Sequence, residues 1–302
     1  MMRQITGWFL QGIGFDEAPP SLVELRETSR RVILTRDELM SASKWEPLLQ
    51  GKRHDANPGW VTLETLASFR RGVATGANGF FLLSRDRLDA LGISVERCLP
   101  CVGRASDVRG LIYRPSEFEA AAAAGGKLFL LNLKDPLTDE EKRYVRIGED
   151  QSLTKRFLLA NRKPWYSMEQ RPVAPIWAAV FGRGDLKFVF NEASARTLTN
   201  FHCLYPTNPN PVFHQALTMC LNSTLVRETS KLHGRVYGGG LNKFEPNDLK
   251  SIQVPDLNLT PKSLILEMSK LLFALDAQPQ DSSLKERADE LCAQAAREAS
   301  PS

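Results

Sequence analysis

The sequence predicts an α+β fold: mainly antiparallel strands with hairpins, flanked by helices, with a helical C-terminus. Three observations carry that expectation. Two apolar runs, Ala174–Phe181 and Leu186–Asn191, flank the glycine-bearing segment Gly182-Arg183-Gly184-Asp185, the pattern of two strands joined at a hairpin tip. No series of βαβ units follows from the pattern of strands and helices, which argues against a doubly wound nucleotide-binding sheet. Beyond Pro255 the chain offers two helix candidates, from Pro261 and from about Ser282, separated by the linker DAQPQDSS.

Taken in order, Arg31–Thr35 reads as a strand, Asp37–Ser43 as a short helix and Gly51–Gly59 as a polar loop. Gly79–Ser84 reads as a buried strand, after which Ser84 caps a helix to Leu91. Ser116–Ala124 is predicted helical and closed by Gly125-Gly126, and Lys127–Leu133 is a second strong strand. Thr138-Asp-Glu-Glu141 is a capping box opening the next helix. Thr197–Tyr205 is a third strand candidate. Asn210-Pro211 then caps a long amphipathic helix with Phe213, Leu217, Cys220, Leu221, Thr224 and Leu225 on one face, ended by Gly234. Gly238–Gly240 reads as a flexible loop and Glu245–Ser251 as one helical turn. The last helix, weakly amphipathic, is expected to fray.

With 42% apolar and 25% charged residues in 302, the composition is that of a globular protein. No apolar run approaches the ~20 residues that span a bilayer, so no membrane association is expected. The N-terminus lacks a signal-peptide pattern, and five irregularly spaced cysteines read as reduced thiols in a cytoplasmic protein. Charge is uneven. Residues 1–150 carry 21 basic and 21 acidic side chains, residues 151–250 carry 13 and 6, and residues 251–302 carry 5 and 8. A basic middle is what a face meeting a polyanion requires, although a chance surplus of solvated arginine gives the same count.

Several chemistries lack their residues. Gly12-Ile-Gly14 is followed by Pro19-Pro20 where a cofactor-cradling turn needs a helix, and Gly72–Gly79 precedes a strand rather than a helix. Asn57-Pro-Gly-Trp60 lacks the second proline of an amino-methylating Asn-Pro-Pro-aromatic loop. Cys98-Leu-Pro-Cys101 has no second pair to complete a zinc site. Asp135 with Glu140-Glu-Lys142 could be sought as a nuclease site, but these residues open a capped helix, where acids favour the dipole.

Four stretches, in order over roughly residues 30–260, resemble one family. These are Phe69-Arg-Arg-Gly-Val-Ala-Thr-Gly-Ala-Asn-Gly-Phe-Phe-Leu-Leu83, Leu99-Pro-Cys-Val-Gly-Arg104, Asn161-Arg-Lys-Pro-Trp-Tyr166, and Arg235-Val-Tyr-Gly-Gly-Gly-Leu-Asn-Lys-Phe-Glu-Pro-Asn-Asp-Leu249 followed by Val254-Pro255. Together they resemble the target-recognition region of TaqI-like adenine-specific DNA methyltransferases. The resemblance implies a leader at 1–60 from a missing catalytic domain, a DNA target-recognition domain at 61–256 and a helical C-terminal segment at 257–302. It implies double-stranded DNA and a methyltransferase catalytic subunit or domain as partners. It implies no cofactor on this chain, with S-adenosylmethionine bound by the catalytic partner.

Residues expected to meet DNA are Arg70, Arg71, Thr75, Asn78, Arg162, Lys163, Trp165, Tyr166, Arg183, Lys187, Arg235, Tyr237 and Lys243; none is expected to be catalytic. Arg171 and Arg196 are further phosphate anchors, and Asn78, Asn191 and Asn200 are candidate adenine readers. Trp165 and Tyr166 are equally candidates for core aromatics, and Thr75 with Asn78 for a turn without DNA contact. Two other functions stay open: a degenerate but active adenine-specific methyltransferase, and a protein-interaction domain that does not bind DNA.

Overall fold

A computed structural model describes residues 58–179, 186–230 and 244–300 with their side chains, and the backbone of 10–14, 30–34, 181–182, 231, 235–237 and 241–243. The chain divides into two units, residues 1–57 and 58–302. In the first, β1 (Leu10–Gly14) pairs antiparallel with β2 (Arg30–Leu34), Gly12 facing Val32. The expected helix at Asp37–Ser43 and most of the loop at Gly51–Gly59 lie outside the described residues.

The second unit begins with β3 (Trp60–Thr62), a helical turn α1 (Leu63–Leu66) and β4 (Ala67–Arg71). The stretch predicted as one strand from Gly79 is instead α2 (Asn78–Phe81) followed by the short β5 (Leu82–Leu83). The Phe80 and Phe81 N–H groups both donate to Ala77 O, at 2.9 and 3.0 Å, closing a helical turn, and Phe80 stacks on Tyr144 with ring centroids 4.4 Å apart. α3 (Arg85–Leu91) starts where expected, with the Arg87 N–H donating to Ser84 Oγ at 3.4 Å, and stops at Gly92 with φ 68°.

β6 (Cys98–Val102), β7 (Ile112–Tyr113), α4 (Pro115–Ala123) and β8 (Phe129–Leu131) follow. α5 (Asp139–Asp150) has the predicted capping box: Glu141 N–H donates to Thr138 Oγ1 at 3.2 Å, and Thr138 N–H to Glu141 Oε2 at 2.9 Å. After the short α6 (Phe157–Ala160), β9 (Ile176–Ala179) and β11 (Lys187–Asn191) form the expected antiparallel pair, with β10 (Phe181–Gly182) between them in sequence. The expected hairpin tip at Arg183 lies outside the described residues.

β12 (Arg196–Thr197) and β13 (Phe201–Pro206) lead to α7 (Pro211–Asn222), capped by Asn210 as predicted. This helix does not run on towards Gly234. It breaks at Ser223, whose hydroxyl donates to Cys220 O at 2.7 Å and accepts the Val226 N–H at 3.3 Å, so one side chain closes α7 and opens α8 (Thr224–Lys231). The backbone of β14 (Arg235–Tyr237) pairs with that of β15 (Leu241–Lys243); the Gly238–Gly240 loop lies outside the described residues. Then come α9 (Pro246–Lys250), β16 (Gln253–Pro255), α10 (Lys262–Ala277) and α11 (Ser282–Ala299). None of the described helices is long and apolar enough to cross a membrane.

A five-stranded sheet in the order β4-β13-β9-β11-β7 forms the middle of this unit. Its residues alternate between two cores. Ile176, Ala178, Phe188, Phe190 and Leu204 face one; Trp177, Val189, Phe201 and Cys203 face the other. The first core is completed by α7, α10 and α11, the second by the sheet β12-β6-β8-β5 and its surrounding helices.

Two polar side chains finish the sheet edge. β7 pairs only with Phe190 and Asn191 of β11. Asn222 therefore supplies the missing ladder bonds, accepting the Phe188 N–H at 3.2 Å and donating to Phe188 O at 2.8 Å. Asp276 Oδ1 accepts the N–H groups of Leu111 and Ile112 at 2.6 and 3.0 Å, while its Oδ2 takes Arg114 Nη1 at 2.6 Å. Asp276 is thus a tie within α10, its side chain only 5% exposed, rather than the first residue of a linker.

The last helix is not frayed. Ala288, Leu291, Cys292, Ala295 and Ala296 are buried, most of them in the first core. Small residues let α11 approach its neighbours closely, and its low amphipathicity in sequence reflects alanine standing where larger apolar groups are usual. Leu291→Ala is accordingly expected to lower stability by about 2–5 kcal/mol in urea denaturation. A loss near zero would mean that α11 is peripheral.

Candidate nucleic-acid interface

The first resembling stretch forms a constrained turn between β4 and α2. Gly72 donates its N–H to Phe201 O at 3.1 Å, and a Cβ there would collide with Leu198 O. Gly76 has φ +79°, a left-handed conformation that favours glycine. Thr75 is buried; its hydroxyl donates to Asn78 Oδ1 and accepts the Ala77 N–H at 3.1 Å. Thr75 therefore builds the turn instead of facing a ligand. Asn78 is exposed beside it.

The third stretch locks onto the first. Arg162 Nη1 donates to Thr75 O at 3.2 Å and Ser167 O at 3.1 Å, and Nη2 to Ala74 O at 2.5 Å. Arg156 adds a bond to Gly76 O at 3.0 Å. The Arg162 guanidinium is half-buried, and desolvation pulls its pKa below the ordinary arginine value. It is a structural clamp, with three of its five N–H donors on backbone carbonyls.

Trp165 packs on Phe80 with ring centroids 5.4 Å apart, and its indole N–H donates to Glu149 Oε1 at 3.3 Å. A Cβ on Gly148 would strike the Trp165 ring. Tyr166 donates to Asp135 Oδ1 at 3.1 Å. Both aromatics serve the core, as the alternative reading has it. Asp135 and Glu140-Glu-Lys142 are equally committed: Glu140 pairs with Arg143 at 2.9 Å and Glu141 with Arg97 at 2.6 Å.

Other expected contacts sort by surroundings. Lys187 donates to Val108 O at 2.7 Å, and burial lowers its pKa, so it is a sheet-edge tie and not a free anchor. Asn191 is buried and bonded to Ala174 O and to both backbone groups of Ala195, which removes it as a base reader. Asn200 is exposed and donates to Gly103 O at 2.9 Å. Arg171 pairs with Glu169 at 2.6 Å. Arg196 is half-exposed. Arg70 and Lys163 are exposed. Arg71 is exposed and meets Glu245 of the fourth stretch at 2.7 Å. Arg183 lies outside the described residues, as do the side chains of Arg235, Tyr237 and Lys243; the backbone register places Arg235 opposite Lys243.

Beside the turn runs a groove of about 930 Å³. It is lined by Asn78, by Gly103 and Arg104 from the second stretch, by Arg109 and Lys127, and by the small residues Ala120, Ala121 and Ala124. Sequence reasoning passed over Arg109 and Lys127 because they fall in the charge-balanced first half. Only folding brings them next to Asn78.

His202 sits between these parts. It lies opposite Arg71 in the β13–β4 register, and its Nε2 bonds Phe244 O at 2.9 Å, next to Glu245. Burial lowers its pKa below the ordinary 6.5. Cys98 and Cys101 lie on β6, where burial pushes the Cys98 thiol up to about 12 and raises that of Cys101 as well.

Residues 49–287 match the C-terminal domain of Type II methyltransferase M.Eco57I, and the chain belongs to that family. Type II methyltransferase M.AccI of Acinetobacter calcoaceticus is 34% identical over 232 residues, covering 76% of this chain and 43% of that protein. Type II methyltransferase M.XamI of Xanthomonas campestris pv. amaranthicola is 28% identical over 244 residues, 78% of this chain and 44% of that protein. The chain thus spans less than half the length of these curated relatives. Among solved structures, the type IIG restriction endonuclease BpuSI aligns with a TM-score of 0.49 at 14% identity, over 91% of this chain and 36% of that one.

Two outcomes follow from the geometry. Arg162→Lys keeps the charge but loses the planar fork that spans three carbonyls, and should cost about 2 kcal/mol in denaturant unfolding; unchanged stability would show that the clamp is dispensable. His202 has a folded pKa below its unfolded value. Its contribution is therefore intact above about pH 6.5 and is lost as pH falls through the folded pKa. His214, also lowered by burial, adds to the same acid limb. His202→Gln should make unfolding free energy less steep in pH below 6.5, and an identical pH profile would contradict this.

Proposed function

We propose that this chain is the target-recognition part of a TaqI-like, N6-adenine-specific DNA methyltransferase of the restriction-modification type, acting on double-stranded DNA in the cytoplasm. In this reading S-adenosylmethionine and the methyl-transfer chemistry belong to a catalytic domain or subunit that works with it. One observation supports the reading above all. The four separated stretches meet at a single turn: Arg162 holds its carbonyls, Gly103 lines a groove with Asn78, and Glu245 pairs with Arg71 next to it. The turn is held rigid from behind, while Asn78, Arg70 and Lys163 remain exposed. That is the division a recognition domain needs, with fixed backbone, cations for phosphates and an amide able to read an adenine edge.

The test is a binding titration with the full chain. Duplex affinity should fall linearly in log–log form as salt rises, and Arg70→Ala and Lys163→Ala should each lower the slope by about one. Both variants should melt with the wild type, since the changed side chains are exposed. Titration with S-adenosylmethionine should give no binding heat. Salt-independent duplex binding, or micromolar cofactor binding by this chain, would contradict the proposal.

A further inference from the structure

Residues 151–168 carry four cations, Lys155, Arg156, Arg162 and Lys163, and no acid. The bounding acids are Asp150 and Glu169, the second paired with Arg171 at 2.6 Å. In the middle of this segment α6 leaves Phe157 82% exposed and Leu158 43% exposed. Phe157 is the most open large apolar side chain among the described residues. Phenylalanine is normally interior, and two adjacent exposed apolar groups within a cationic surface are a patch rather than an isolated exception.

The backbone beneath Phe157 is firmly held. Leu159, two residues on, is fully buried. Asn161 Nδ2 donates to Phe157 O at 2.7 Å, and the Leu159 N–H donates to Arg156 O at 2.9 Å. Arg156 itself bonds Gly76 O, and Leu158 and Leu159 lie over Gly76. The phenyl ring therefore projects from a fixed platform attached to the same turn that presents Asn78.

We propose that Phe157, with Leu158 beside it, is an apolar wedge that meets the base faces of duplex DNA at an opened step, while Lys155 and Lys163 hold the flanking phosphates. This inference rests on the DNA-recognition reading above. Charge selects the occupant. An exposed ring within a segment of cations fits a polyanion that also offers flat π faces, whereas a protein surface would have to supply carboxylates around an apolar pocket. The wedge supplies what exposed cations cannot, a contact that depends on how easily a base step unstacks.

The experiment uses the full chain and mixed-sequence duplexes carrying 2-aminopurine at successive positions. Wild type should raise fluorescence at one or a few positions, reporting unstacking. Phe157→Ala should lose that signal and bind about tenfold more weakly, with an unchanged salt slope, because an apolar contact releases no counterions. Its melting temperature should match wild type, and Phe157→Trp should restore the signal. If wild type binds duplex with steep salt dependence but Phe157→Ala binds equally well, the wedge is overturned and the DNA reading stands. Weaker binding without any unstacking signal in the wild-type complex also overturns the wedge. A wild-type chain that fails to bind duplex overturns both, whereas a Phe157→Ala defect seen only against a methyltransferase catalytic domain overturns the wedge alone.

Discussion

The central five-stranded sheet must be covered on both faces, and nearly everything else in the second unit answers to that constraint. Its strands put large apolar side chains on each side: Trp177 is wholly buried on one face, and Phe188 with Ile176 on the other. A sheet with one wet face could have stopped at a single layer of helices. Here one face takes α7, α10 and α11, and the other requires a second lobe of short strands and helices. The clamped turn belongs to that lobe. The presenting surface is thus a by-product of sealing the second face.

Burying a turn of irregular backbone creates its own difficulty, because carbonyls without partners are costly away from water. The turn between β4 and α2 exposes Ala74 O, Thr75 O and Gly76 O to the protein side instead of to a ladder. Arg162 and Arg156 resolve this with guanidinium donors brought from 80 or more positions away in sequence. A guanidinium fits this place because it stays charged, is weakly hydrated for an ion, and addresses several oxygens at once with its planar fork. A lysine would satisfy fewer of them. The positive charge left near the surface then costs little and favours an anionic neighbour.

What the sequence disclosed follows a physical line between local and distant causes. Ser84, Asn210 and the Thr138–Glu141 pair were legible because a cap bonds its own next turn. The β9–β11 antiparallel pairing was legible because both apolar runs lie within one short stretch. Failures came where tertiary contacts decide. Phe80 and Phe81 read as strand in sequence but form a turn stacked on Tyr144 from α5, and the end of α7 is set by the hydroxyl of Ser223 rather than by a glycine. The candidate site divides the same way. An arginine or lysine in sequence is simply a cation. Arg162 and Lys187 bond carbonyls, whereas Arg109 and Lys127, hidden in a neutral half of the chain, line the groove beside Asn78. No count of charge along the chain distinguishes these cases.

Gly59 carries a consequence of another kind. It adopts φ +76°, and a Cβ there would collide with Ala296 O in α11, while one residue later β3 pairs Trp60 with Pro255 of β16. The two ends of the second unit therefore lie side by side. A domain whose boundaries coincide in space can be lifted out of one host and set into another through a single attachment point, or have its order of segments rotated, with little disturbance to either framework. For a unit built this way, exchange between proteins is geometrically cheap.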